Sequence, residues 1–269
     1  MLCVVNETLQ LRAFGDPALP TLIYLPGLHG DWTLVTSLRA ALNGLVRFVE
    51  MTYPRELNWS IPDYATAIRN SLSGLGITHG WLLGESFGSQ IAWALLETEL
   101  PKTGNNQKSF SVDGVILAGG FVKHPFKRGP GMLSWIGRMT PMAIYRLGLK
   151  IYAHCAKFRH RRAPEVLDGM KEFLSRRTEL DRQAMRHRLA ALDQYDPRAV
   201  ARRTNIPVYY LAGLVDPLVP HVLVRSWLRK NCPGYRGGRM FWLADHNVLA
   251  TSPRRAAEVI VQWIRNHPS

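Results

Sequence analysis

Three cysteines in 269 residues, at positions 3, 155 and 232, form no Cys-x-x-Cys pair and leave an odd thiol under any pairing. That argues against a disulfide framework and against a cysteine-based zinc site. The nine histidines show no His-Glu-x-x-His or comparable ligand spacing, so no metal or other cofactor is expected. No stretch reaches 18 consecutive apolar residues, because Arg138, Arg146 and Lys150 interrupt the richest one. The first residues, Met1-Leu-Cys-Val-Val, lack the basic and long apolar parts of a signal peptide. No repeat of 20–50 residues is present. The expectation is a soluble, cytoplasmic protein without a transmembrane segment. With 46% hydrophobic and 20% charged residues, the composition is that of a globular chain able to bury one substantial core.

Acidic residues are scarce in one region. Residues 121–205 hold 19 Lys/Arg against 7 Asp/Glu, whereas residues 1–120 hold 7 against 10 and residues 206–269 hold 8 against 3. Nearly all of the net charge of +14 therefore sits in one internal segment, which marks it as a separate unit. Such a surplus favours anionic surfaces. Nucleic acid is a poor fit for it, since no recognised binding motif accompanies the charge.

Short apolar runs alternate with helix-like segments along the rest of the chain. Leu2–Val5 and Thr8–Phe14 read as a β-hairpin, followed by strands at Thr21–Leu25, Val46–Met51, Gly80–Leu83, Val112–Ala118, Val208–Ala212 and Met240–Leu243. Helices are expected over Leu34–Leu42, from Pro62 to about Gly74, over Gln90–Thr98, and at about 220–230 and 254–265. Strands separated by helices need crossovers, so the main body is expected to be α/β, a mostly parallel sheet covered by helices on both faces.

One motif carries chemistry. Gly84-Glu85-Ser86-Phe87-Gly88 follows an apolar strand and opens a helix. A serine at the apex of such a turn exposes its hydroxyl above the sheet on a strained backbone, and its neighbours approach so closely that positions 84 and 88 must lack side chains. The helix that begins at Phe87 aims free N–H groups at the same point, where a developing oxyanion is stabilised. The plain alternative is a strand–turn–helix joint with a capping serine.

On this motif and its context the chain resembles the α/β-hydrolase superfamily over nearly all its length except 121–205. The resemblance implies a core of residues 1–120 and 206–269 and, between the sixth and seventh strands, an inserted helical cap of residues 121–205. It implies the order nucleophile, acid, histidine, which Ser86, Asp216 and His246 supply, each just past a strand. In that reading His246 takes the Ser86 proton and later returns it to the leaving group, while Asp216 holds the imidazole tautomer. Asp113 stands at the start of its strand, Asp196 in a Tyr-Asp-Pro turn, and Asp245 beside the histidine, so all three rank below Asp216 as the acid. The oxyanion donors implied are the N–H groups of Phe87 and of Leu28 in the loop Pro26-Gly27-Leu28-His29-Gly30-Asp31. A register on His29-Gly30 would instead make Asp31 the donor, and Pro26 replaces the histidine usual in relatives.

A serine at position 86 sets the chain apart from epoxide hydrolases and haloalkane dehalogenases of the superfamily, which use an aspartate there. The implied activity is that of a serine esterase acting on medium or small acyl substrates through an acyl-serine, the bond cleaved being a carboxylic ester, a thioester or the C–C bond of a β-diketone-like substrate. Acyl transfer with the same residues, or a non-catalytic receptor on the same scaffold, are the alternatives. In the cap, Met132, Trp135, Ile136, Met139, Met142, Ile144, Tyr145, Leu147 and Leu149 could line an acyl pocket or simply pack. The second half, Arg182 through Arg188 included, reads as a solvated basic face or as a dock for an anionic acyl carrier.

Overall fold

The computed structural model describes residues 8–98, 110–125 and 178–267, together with isolated positions between 144 and 175. Seven strands build its sheet: β1 (Gln10–Phe14), β2 (Thr21–Leu25), β3 (Arg47–Thr52), β4 (His79–Glu85), β5 (Ser111–Ala118), β6 (Val208–Gly213) and β7 (Tyr235–Phe241). Their spatial order is β1-β3-β2-β4-β5-β6-β7. β1 runs antiparallel to β3, and every other pair is parallel. The Leu2–Val5 half of the expected hairpin lies outside the described residues.

Strand alternation divides the interior into two cores. Ile23, Leu25, Leu82, Val115 and Leu117 face one side, where α2 (Ile61–Gly74) and α3 (Gly88–Glu97) pack. Leu22, Tyr24, Trp81, Leu83, Ile116 and Ala118 face the other, against α1 (Thr36–Leu42) and α8 (Pro253–Arg265). A central strand covered on both faces reads as a continuous apolar run, which is why β2 and β4 stand out in the sequence. Local signals set the helix limits. Ser60 accepts from the Asp63 N–H while the Asp63 carboxylate accepts from the Ser60 N–H at 2.8 Å, a reciprocal cap that starts α2, with Pro62 in its first turn. The edge strand β1 is held by Glu50 of β3, whose buried carboxylate accepts from Arg12 of β1 and Arg39 of α1, each at 2.5 Å.

The last strand departs from expectation. It spans Tyr235–Phe241 rather than Met240–Leu243. Its Gly237-Gly238 pair breaks the apolar alternation: Gly237 sits at φ +127°, and a Cβ at Gly238 would lie 2.5 Å from the Tyr210 carbonyl of β6. Trp242 and Leu243 are exposed turn residues beyond it.

Within 121–205 the described residues include α4 (Glu179–Gln194) and α5 (Arg198–Arg203), followed by α6 (His221–Asn231) and the short α7 (Val248–Thr251) in the C-terminal part. Thr178 and Asp181 cap α4 reciprocally. Asp181, Ala184, Arg188, Leu189 and Leu192 turn inward at helical spacing, and the last two join the core beneath α3. Arg188, expected on a solvated face, is thus buried, whereas the apolar Leu180 is exposed. The reason is the phase of α4, which is fixed by side-chain bonds to the body. Asp181 accepts from Arg55 at 2.7 Å, and the His187 ring bonds the Trp59 carbonyl at 2.9 Å. Of the apolar residues suggested as pocket lining, Ile144 and Leu147 are exposed, and the others lie outside the described residues.

Candidate active site

The turn between β4 and α3 puts Ser86 at φ +50°, the only non-glycine residue with positive φ among the described residues. L-residues avoid that region at a cost on the order of 1–3 kcal/mol, which the surroundings must offset. They do so by contact. A Cβ at Gly88 would lie 2.1 Å from the Leu25 carbonyl, and one at Gly84 would lie 2.8 Å from Ser89 Cα. The Ser86 N–H donates to the Ala118 carbonyl at 3.0 Å, pinning the turn to β5.

Two further strand-end loops meet this turn. Asp216 lies three residues past β6, and its Oδ1 accepts from the N–H groups of Leu218 at 2.8 Å and Val219 at 3.0 Å. Its Oδ2 accepts from His246 Nδ1 at 2.9 Å, and the Ser86 hydroxyl donates to His246 Nε2 at 2.8 Å. Asp216 and Ser86, 30 and 160 positions from His246, therefore form with it one continuous chain of hydrogen bonds. The His246 loop fits because two glycines leave room for it. A Cβ at Gly213 would meet the Asp245 carbonyl at 2.2 Å, and one at Gly119 would meet the His246 carbonyl at 2.8 Å.

The rejected acids sit elsewhere. Asp113 pairs with His79 at the other end of the sheet, Asp196 holds Arg198, and Asp245 accepts the Asn247 N–H within its own turn.

Burial pulls the His246 imidazole towards neutrality, but the hydrogen bond and charge of Asp216 outweigh it, so its pKa lies above the ordinary histidine value. Burial likewise pushes Asp216 up, and the His246 bond with the two backbone N–H groups outweighs that, leaving its carboxyl below the usual range. Asp216 is thus charged, accepts from Nδ1–H and leaves Nε2 free to accept a proton from serine. An imidazole held in this way is chemically able to take a proton from a serine hydroxyl and to give it to a leaving group.

The loop after β2 passes over the same turn. A Cβ at Gly27 would lie 3.5 Å from the Glu85 carbonyl, and one at Gly88 would lie 2.8 Å from the Pro26 carbonyl. The backbones of Leu28 and Phe87 therefore belong to two segments in contact. Neither N–H group donates to a backbone carbonyl among the described residues. Asp31, the donor in the other register, turns its carboxylate back onto the N–H of Thr33 at 3.0 Å and its hydroxyl at 2.5 Å.

Sequence reasoning missed two side chains here. Glu85, quoted only as a motif position, is fully buried behind the serine and accepts from the Tyr24 hydroxyl. Burial pushes its pKa up to about 7, against the Tyr24 bond and the His246 charge that lower it. His29, 4.0 Å from that carboxylate, packs edge-on against Phe173. The available signal was an acid ending an otherwise apolar strand. The second is Arg188, hidden in a basic run. A recess of about 690 Å³ between α1 and α8 contains none of these groups.

The sheet order, the crossovers and the strand-end positions of these loops together define the α/β-hydrolase fold. Solved structures of that fold superpose over nearly the whole chain. An esterase from Thermogutta terrifontis matches with a TM-score of 0.74 at 17% identity, covering 97% of this chain and 94% of its own. An esterase from Rhodococcus sp. ECU1013 matches at 0.74 and 16%, over 97% and 95%. The enol-lactonase of Burkholderia xenovorans LB400 matches at 0.72 and 16%, over 96% of each. No protein-family model and no curated protein matches the sequence. No helix among the described residues is long and apolar enough to cross a membrane.

Proposed function

We propose that the chain is a serine hydrolase that cleaves a carboxylic ester or thioester through an acyl-serine intermediate. The observation that carries this reading is the relay from Ser86 Oγ through His246 to Asp216, with links of 2.8 and 2.9 Å. Ser86 attacks the acyl carbon as its proton passes to His246 Nε2, and the carbonyl oxygen becomes an oxyanion held by the N–H groups of Leu28 and Phe87. Collapse of the tetrahedral intermediate breaks the bond to the leaving group, which takes the proton from His246. Water, deprotonated by the same imidazole, then attacks the acyl-serine and regenerates Ser86. That esterases and an enol-lactonase share the fold supports the choice of an ester-type bond.

Turnover of short p-nitrophenyl esters tests the proposal. Ser86→Ala and His246→Ala are each expected to abolish turnover while the protein stays folded. Retained activity in Ser86→Ala removes serine as the nucleophile. The surplus of 19 basic over 7 acidic residues in 121–205 extends the proposal to an anionic acyl carrier docking on a cap.

A further inference from the structure

We infer that Arg188 is a positioning residue that sets the oxyanion-donor loop from outside the sheet, an inference that rests on the ester-hydrolase reading. Arg188 lies mid-way along α4 and is 1% exposed. Its Nη1 donates to the Leu28 carbonyl at 2.9 Å, its Nη2 to the Pro54 carbonyl at 3.0 Å and its Nε to the Tyr64 hydroxyl at 3.4 Å. The guanidinium also stands 5.5 Å from the centre of the Tyr53 ring. No carboxylate pairs with it among the described residues, so this buried cation is held by two carbonyls, a phenol hydroxyl and an aromatic face. An ion pair serving only to fasten α4 would have used a carboxylate, as Arg55 and Asp181 do nearby.

The bonded carbonyl matters. A peptide unit is planar, so a carbonyl and the N–H that follows it turn as one body. The Gly27 carbonyl accepts from the Gly30 N–H at 3.0 Å, which ties the unit carrying the Leu28 N–H only to its own loop. Arg188 fixes the next unit through the Leu28 carbonyl, and the Tyr53 N–H fixes the Gly30 carbonyl at 2.7 Å. Consecutive units of the turn are thereby clamped, and rotation at Leu28 is the freedom that Arg188 removes. Gly30 completes the fit: it sits at φ +81°, and a Cβ there would lie 2.4–2.8 Å from the guanidinium. The fork bridges the loop after β2 to the loop after β3, which a lysine, with one ammonium, cannot reproduce.

Removing the fork leaves both donors present but one of them unaligned. Arg188→Met is therefore expected to lower kcat on a p-nitrophenyl ester by about 10–100-fold, less than deletion of a donor, with KM within about three-fold. Affinity for a trifluoromethyl ketone, whose adduct carries the oxyanion, should fall by the same factor as kcat. Added methylguanidinium should restore part of the rate to Arg188→Ala. Active sites are counted with a fluorophosphonate, so that kcat refers to folded protein. Where the methionine variant does not fold, Arg188→Lys, which keeps the charge, is expected to lose about ten-fold in kcat at near wild-type melting temperature. Wild-type kcat per labelled site in the folded variants, with only the melting temperature lowered, overturns the inference and leaves the hydrolase reading intact. A wild-type protein inert to ester and fluorophosphonate overturns both.

Discussion

Two buried carboxylates act on one imidazole, and their surroundings drive them in opposite directions. Asp216 bonds His246 directly and receives two backbone N–H groups from its own loop, so it is held ionised. Glu85 sits behind the nucleophile at the end of a strand, receives one phenol, and is pushed by burial up to about 7. Both are shielded from water, so burial alone does not decide the protonation state. The number of donors decides it, and a loop can turn several N–H groups onto one carboxylate where a strand cannot. Asp216 is thereby suited to orient the imidazole, while Glu85 changes charge in the range where His246 works.

Substitutions at the two positions sharpen the contrast. The largest effect is expected from Asp216→Asn, which should lower ester turnover by about 10⁴-fold by removing the acceptor that sets the tautomer. Glu85→Gln should act instead on stability. A carboxyl raised from 4.5 to about 7 binds a proton on folding, so its contribution is fully present below pH 4.5 and is lost as pH rises to 7. The variant lacks that loss, and denaturant unfolding at pH 8 should find it more stable by about 3 kcal/mol, with the gain vanishing near pH 4. Asp216 gives the opposite slope, since a lowered carboxyl contributes stability that disappears as pH falls through its folded value.

A smaller effect separates the two carboxylates kinetically. Because Asp216 raises the His246 pKa above 6.5, kcat/KM should climb with a midpoint above pH 6.5. Glu85 also raises it through its charge, so Glu85→Gln should move that midpoint to lower pH while leaving kcat at pH 8 within about ten-fold. An unmoved midpoint would separate Glu85 from the imidazole. Smallest of all is the salt response of a neutral ester, expected to be flat. A carrier-linked acyl group should lose rate steeply between low and high salt if the basic segment docks it, and an equal response of the two substrates removes that role.

Much of the body was legible in the sequence because its signals are local. Thr21–Leu25 matches β2, and the turn at Gly84–Gly88 falls between β4 and α3. Those runs are apolar on both faces and are closed by Pro26-Gly27 and by Gly84, leaving one consistent reading. That Ser86, Asp216 and His246 would meet was implied by the resemblance, through chain order and strand ends, and their side chains lie in hydrogen-bond contact. What escaped depends on contacts distant in sequence. The Gly-Gly pair in Tyr235–Phe241 reads as a turn until the Tyr210 carbonyl lies against it. Arg188 looks like any arginine of a basic run, and only the phase of α4, set by Arg55 and Trp59, turns it inward. Glu85 betrays its burial only as an acid ending an otherwise apolar strand, and its partner Tyr24 lies 61 positions away.

The central claim is that Ser86 is a nucleophile because His246 can take its proton. The most direct measurement is mass mapping of the adduct formed by a fluorophosphonate on the wild-type protein and on His246→Ala. A single adduct on Ser86, formed rapidly in the wild type and slower by orders of magnitude in the variant, is the predicted result. Labelling at another residue, or labelling of Ser86 at the same rate without the imidazole, would contradict it.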